Sequence, residues 1–301
     1  MAVIVVTGAN SGIGRATAVH LAAAGHTVHG AMRNLGKGGK LQDEASAVGA
    51  TVQPLELDVS DDESVRTAIQ SVLDAEGRID VLVNNAGLGY NKAVEEIDIA
   101  EGKQVFDVNY WGVVRCTQAV LPGMRAQGSG TIVNVSSVAG RLAAIAQAVY
   151  ASSKWALECL SENMAQELVP FGIRVKVIEP GVTRTALLAK HQELHPESPY
   201  ADAYRRMFAF YAAGIEANVR PSEVAEVVQQ AIDDDSARLR YVCAYAGDEL
   251  GDGREGVSDD EWLALGAAAN DDEYFERFER AFGLDIRAGD LRTDEQRAAG
   301  L

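Results

Sequence analysis

A chain of 301 residues with 47% hydrophobic and 24% charged side chains has the composition of a folded protein with ample material for a core. Its net charge of −17 argues against nucleic acid or an anionic membrane surface as partner, since both demand a basic footprint. Cys116, Cys159 and Cys243 match no metal or redox spacing, no run approaches the ~18 apolar residues of a membrane span, and Met1 leads straight into a β-branched run; the chain reads as cytoplasmic, with inert thiols.

In chain order, residues 2–8 (AVIVVTG) are the first strand candidate, followed by a glycine-rich turn and an amphipathic helix over 12–24. Strand candidates recur at 26–32, 51–59, 79–87, 130–137 and 173–180, with helical patterns at 61–76, 101–127 and 150–169. A helix over 221–233, opened by Pro221, leads to a seventh strand at 239–243. Apolar strands separated by helices predict a parallel sheet covered on both faces, a doubly wound, Rossmann-like α/β fold of about seven strands. Two segments stand outside the alternation: a helical lid insertion at 184–214 and an acidic C-terminal extension over 245–301. Within the extension, Tyr274, Phe275, Phe278 and Phe282 share one helical face, a stripe expected to pack the tail onto the body.

The turn VVTGANSGIGRA sits between a strand and a helix, the context a dinucleotide-phosphate loop requires. Gly8 permits a tight exit from the strand, and Gly12 and Gly14 remove side chains where a pyrophosphate approaches backbone N–H groups. An acidic residue that binds the ribose hydroxyls of NAD belongs at the end of the second strand. Met32 and Arg33 stand there instead, so NADP is the expected cofactor, with Arg33 facing its 2′-phosphate and Ser11 and Arg15 adding contacts in the turn.

Tyr150 and Lys154 lie four apart on a predicted helix and so share a face. An ammonium ~4 Å from a phenolate, at an effective dielectric of ~20, attracts it by ~4 kcal/mol. That would bring a phenol from about 10 to about 7, where general acid–base catalysis is most efficient.

TGANSGIG (7–14), NNAG (84–87), Asn109 in FDVNYWG, NVSS (134–137), YASSK (150–154) and PG (180–181) follow one another in the order and approximate spacing of the short-chain dehydrogenase/reductase family. The chain resembles that family over about 1–243, so 1–244 is read as a dinucleotide-binding catalytic domain and 245–301 as an extension packed on it. The resemblance implies a proton donor and acceptor at Tyr150, and a lysine at Lys154 that lowers its pKa and holds the nicotinamide ribose. It implies a serine at Ser137 that orients the substrate oxygen, with Ser136 a strand-end neighbour, and at Asn109 the anchor of a proton-relay water. It places Gly8, Asn10, Ser11, Gly12, Ile13 and Gly14 in the cofactor turn, and Asp58 and Val59 at the adenine. Asn85, Ala86 and Gly87 fall beside the adenosine ribose, and Pro180, Gly181 and Val182 lead to Thr183 at the carboxamide.

The long insertion, the AMRN strand end, the 220–244 segment and the tail resemble the steroid and retinol dehydrogenase branch. That resemblance implies an NADP-dependent exchange between a carbonyl and a secondary alcohol on a lipophilic substrate. Tyr200, Tyr204, Met207, Phe208, Phe210 and Tyr211 are expected to line or back its pocket. A 3-oxoacyl-thioester reductase and a nicotinamide-sensing regulator without turnover are the alternatives; the intact Ser137, Tyr150 and Lys154 set argues against the second. The family also implies a homodimer or homotetramer through the helices near 101–127 and 150–169. No metal is expected: His191 and His195, four apart, lie in a polar part of the insertion and read as surface.

Overall fold

The computed structural model describes residues 1–185 and 195–293. Strands β1 (Val3–Thr7), β2 (Thr27–Met32), β3 (Val52–Glu56), β4 (Val81–Asn84), β5 (Gly130–Val135), β6 (Ile173–Pro180) and β7 (Arg240–Cys243) form one sheet in the order β3-β2-β1-β4-β5-β6-β7. Every neighbouring pair is parallel, with Ile4 of β1 in register with Val28 of β2 on one side and Val81 of β4 on the other. The strand order reverses between β1 and β4, and open sheets of this kind bind ligands beyond the carboxyl ends of the strands at that crevice.

Strand residues alternate between two covered faces. Ile4, Val6, Val83 and Val133 join one apolar cluster with Leu21, Val224 and Val228, whereas Val5, Leu82 and Ile132 join another with Ile69, Val120 and Met124. Helices α1 (Gly12–Ala23) and α2 (Gly39–Ala47) lie on the first face; α3 (Asp62–Glu76), α4 (Ile99–Phe106), α5 (Gly112–Gln127) and α6 (Ala148–Leu168) follow. α2 was not expected; its only buried residues, Leu41 and Ala45, give too narrow an apolar stripe for periodicity to show. The pattern read as one helix over 101–127 is two, α4 and α5, joined by a five-residue π-helical turn at Asp107–Trp111.

Beyond β6 come α7 (Ala201–Glu216) of the lid and α8 (Pro221–Asp233), with Pro221 in its first turn. The tail forms a short α9 (Gly247–Leu250), α10 (Asp259–Gly266) and α11 (Asp271–Phe282). The stripe of α11 is buried: Tyr274, Phe275, Phe278 and Phe282 share a cluster with Ala209 and Ala213 of α7 and with Val138 and Leu142 beyond β5. Asp271 fixes the same contact electrostatically, accepting from Arg206 Nε at 2.9 Å and from Arg205. Cys116 is buried and Cys243 half-buried, but Cys159 is exposed, so burial does not account for all three thiols. Among the described residues no helix is long and apolar enough to cross a membrane.

Candidate active site

The first strand ends in a knot of close approaches. Gly8 has φ +68°, and a Cβ there would lie 2.9 Å from Ala86 Cα; one at Gly14 would lie 2.2 Å from Asn85 Nδ2. Only glycine lets α1 descend this close to the loop after β4. Thr7 Oγ1 accepts from the Asn85 and Ala86 N–H groups, both at 3.0 Å, and donates to Val83 O at 3.3 Å. Asn85 Nδ2 donates back to Thr7 O at 2.9 Å, so the two strand ends are tied together at the crevice. Ser11 caps α1 without a side-chain hydrogen bond, leaving the first N–H groups of the helix for an anion.

A cleft of about 660 Å³ opens over this knot. It is lined by Gly8, Asn10, Ser11, Gly12, Ile13, Arg33, Asp58, Val59, Asn85, Ala86 and Gly87, and, further along, by Ser137, Tyr150, Lys154, Pro180, Gly181, Val182 and Thr183. Of the residues predicted to bind the cofactor or carry catalysis, Gly14, Arg15 and Asn109 are not part of this lining. Arg33 is exposed at the end of β2 and makes no ion pair among the described residues. Lys37, in the turn after it, adds a second cation that the motif reading missed. Arg15 does not line the cleft: it pairs with Glu44 at 3.0 Å and donates to Asn10 O, in the turn itself, at 3.4 Å.

At the other end, α6 delivers Tyr150 and Lys154 to the floor of the cleft. Ser137 Oγ accepts from Ala139 N–H at 3.1 Å and donates to Pro180 O at 3.3 Å, which fixes the hydroxyl beside the phenol. An attraction of ~4 kcal/mol requires the ammonium ~4 Å from the phenolate. Here Lys154 Nζ donates to Val135 O at 2.9 Å and stands 5.9 Å from the Tyr150 ring centre. Burial therefore governs both groups. It pushes the Tyr150 phenol above its ordinary value, with the Ser137 hydroxyl pulling back in part. It pushes the Lys154 ammonium down to about 8, against the pull of Glu158. Burial thus works against the acidification of the phenol that the four-residue spacing suggested.

Asn109 sits in the π-helical turn and is 1% exposed. Its Oδ1 accepts from Leu88 N–H at 2.8 Å, and its Nδ2 donates to Leu88 O at 2.9 Å and Ser153 Oγ at 3.0 Å. π-turns cluster at functional sites, and this one swings an amide inward to bind the β4 loop to α6.

The lid contributes less than its aromatic content suggested. Phe210 and Tyr211 line the cleft, whereas Tyr204, Met207 and Phe208 are buried in a cluster with Ala93 and Ala146, backed by Tyr200. Tyr204 is held there by Ala93 N–H at 2.9 Å and Glu96 at 2.5 Å. Tyr211 Oη accepts from Gln147 Nε2 and donates to Asn91 Oδ1 at 3.4 Å, and all three residues face the cleft near Tyr150. Gln147, Asn91 and Leu250 of the tail were not anticipated, since their roles depend on long-range packing; Gln147 could have been flagged by its place three residues before Tyr150. His195 lies 3.1 Å from Lys92, and His191 falls outside the described residues.

The family described as short chain dehydrogenase matches residues 2–195. The chain is 37% identical to bovine (Bos taurus) retinol dehydrogenase 8 over 242 residues, covering 76% of this chain and 77% of that one. It is likewise 37% identical to human (Homo sapiens) 17-beta-hydroxysteroid dehydrogenase type 1 over 252 residues, 79% and 76% of the two chains. Among solved structures, a substituted actinorhodin polyketide ketoreductase crystallised with NADPH superposes with a TM-score of 0.72 at 31% identity, over 82% of this chain and 97% of that one. With the glycine knot, the switch-point cleft and these likenesses together, the chain belongs to the short-chain dehydrogenase family, an oxidoreductase family, and resembles its steroid and retinol dehydrogenase branch.

Proposed function

We propose that the protein interconverts a carbonyl and a secondary alcohol on a lipophilic substrate, using NADP(H). The observation that carries this reading is the meeting of Ser137, Tyr150 and Lys154 in the same cleft as the uncapped start of α1. The residues present fit a dinucleotide: the glycine turn leaves no room for side chains, and helix N–H groups suit a pyrophosphate. When bound, a nicotinamide supplies or accepts the hydride. Arg33 and Lys37 would hold a 2′-phosphate at the β2 end, in keeping with the NADPH of the ketoreductase above. Thr183 and Lys154 would hold the nicotinamide end.

The chain's own chemistry concerns one oxygen and one proton. Ser137 Oγ, fixed by Pro180 O and Ala139 N–H, orients the substrate oxygen. Tyr150 enters as the neutral phenol that burial favours, and so holds a proton ready for an oxygen gaining negative charge. Lys154, as an ammonium, stabilises the phenolate that remains. Val138, Leu142, Val182, Phe210 and Leu250 give the substrate end an apolar wall and exclude water. Trp111 and Trp155, about half exposed on the α5 and α6 side at 52% and 50%, support assembly into a homodimer or homotetramer.

Tyr150→Phe tests the reading directly. It should abolish NADPH oxidation across a panel of lipophilic ketones while leaving the fluorescence-detected affinity for NADPH intact. Turnover retained by that variant would remove Tyr150 from the mechanism.

A further inference from the structure

Below Lys154 on α6, four residues further along the same helix face, lies Glu158, 5% exposed. Opposite it on β6 is Glu179, fully buried. Two carboxylates in so dry a place need donors, and the protein supplies too few. Arg240 Nε donates to Glu158 Oε2 at 3.0 Å and lies 3.1 Å from Glu179 Oε1, which it meets as an ion pair without a hydrogen bond. Arg141 stands farther from Glu179, at 3.6 Å, and Arg240 also answers to Glu162 at 2.6 Å. Glu158 Oε1 and both oxygens of Glu179 are left without a hydrogen-bond donor.

One proton resolves this. If a single carboxyl O–H lies between the two groups, it donates to the other carboxylate, and one negative charge disappears from the interior. Burial, and then the neighbouring Glu158, raise the Glu179 carboxyl, which makes it the natural holder. The charge that remains on Glu158 faces Lys154. The same carboxylate reaches under the loop of Ser137: a Cβ on Gly140 would lie 3.3 Å from Glu158 Oε1 and 2.8 Å from Ser136 Oγ. The charged and titratable groups around the pair are Lys154 and Glu162 on α6, Arg141 after Ser137, and Arg240 and Cys243 on β7; burial and then Glu179 raise the Cys243 thiol, so it stays neutral.

We propose that Glu158 and Glu179 share one proton, and that the single negative charge they keep is a positioning device that maintains the buried Lys154 as an ammonium. This rests on the role given to Lys154 under the proposed function. Lys154 is 5% exposed and its ammonium donates to the Val135 carbonyl, so without a nearby carboxylate its proton is easily lost.

The test is an NMR titration of the lysine side-chain nitrogens in the full chain, with Lys154 assigned by Lys154→Arg. Glu158→Gln should lower the Lys154 midpoint by about 1 pH unit, leaving about fivefold less ammonium at pH 8. The pH at which kcat/KM declines should fall with it. Glu179→Gln, an isostere of the protonated acid, should leave the lysine midpoint in place and remove a protonated-carboxyl infrared band seen in the unsubstituted protein. An unmoved midpoint in Glu158→Gln, or no such band in the unsubstituted protein, overturns the proposal. Should Glu158→Gln fail to fold, the infrared comparison with Glu179→Gln decides alone. The titration and the spectrum need no turnover, so failure of the proposed function would show separately, as a moved midpoint in a protein without activity.

Discussion

Replacing Asp271 by alanine should release the tail from the lid. Asp271 is 1% exposed and sits between two guanidinium groups, Arg205 and Arg206. Arg206 is itself 4% exposed; without Asp271 it keeps one bond, to Ala268 O at 3.0 Å, and its place 5.0 Å over the Tyr274 ring. Removing one partner from a buried pair strands the other charge, at a cost of about 3–5 kcal/mol. Arg205 keeps Asp202 at 3.0 Å and is partly solvated, so most of that cost falls on Arg206 and the expected loss is near the lower end, about 3 kcal/mol. Urea unfolding should show it, and hydrogen exchange should locate it in 245–293 and α7 while the sheet stays protected. KM for an apolar ketone should rise, because Leu250 leaves the cleft wall with the tail. A loss below about 1 kcal/mol with unchanged exchange in the tail would refute the reasoning. The pH dependence has a definite sign. Burial alone would raise the Asp271 carboxyl, but the two guanidinium groups outweigh it and hold it below 3.8. Its contribution is therefore complete above the unfolded value and is lost as the pH falls through the lower folded one, so acid should loosen the tail.

Arg33→Asp should move preference from NADPH toward NADH. A charge-assisted hydrogen bond contributes about 1.5–3 kcal/mol, so the ratio of the two kcat/KM values should change by about 10- to 150-fold, and an unchanged ratio would remove Arg33 from phosphate recognition. Tyr211→Phe takes the acceptor from Gln147 Nε2 and should raise substrate KM by a factor on the order of ten without altering NADPH affinity; steady-state kinetics with a fluorescence titration separates the two. With Lys154 at about 8, carbonyl reduction should decline as the pH rises through that value, and a flat rate from pH 7 to about 9.5 would show that the ammonium is dispensable.

Much of this architecture was legible because its causes are local. Ile4, Val5 and Val6 are apolar on both faces, which only a doubly covered strand permits, and Gly8 and Gly14 mark places where backbone must meet backbone. The spacing of Tyr150 and Lys154 was also readable, but its electrostatic meaning was not. How far burial outweighs attraction depends on Val135 O, Glu158 and the covering loops, none of which a four-residue interval specifies. The lid misled in a similar way. An amphipathic helix announces that one face is covered, and only the fold decides that Tyr204 faces Glu96 while Tyr211 faces the cleft. The Glu44 partner of Arg15 was equally out of reach, because α2, which carries it, has almost no periodic signal.

The wide turn at Asp107–Trp111 makes one stretch of the chain sensitive to count rather than to kind. Deleting any one of its five residues would let the wide turn revert to the ordinary α pitch. Each residue of an α-helix advances the chain by about 100°. With Asp107 or Val108 removed, Asn109 would be turned away from Leu88, and the span from β4 to α6 would lose its brace. Substitutions within this turn leave the count intact, whereas a single-residue shortening ahead of Asn109 would loosen the floor of the cleft.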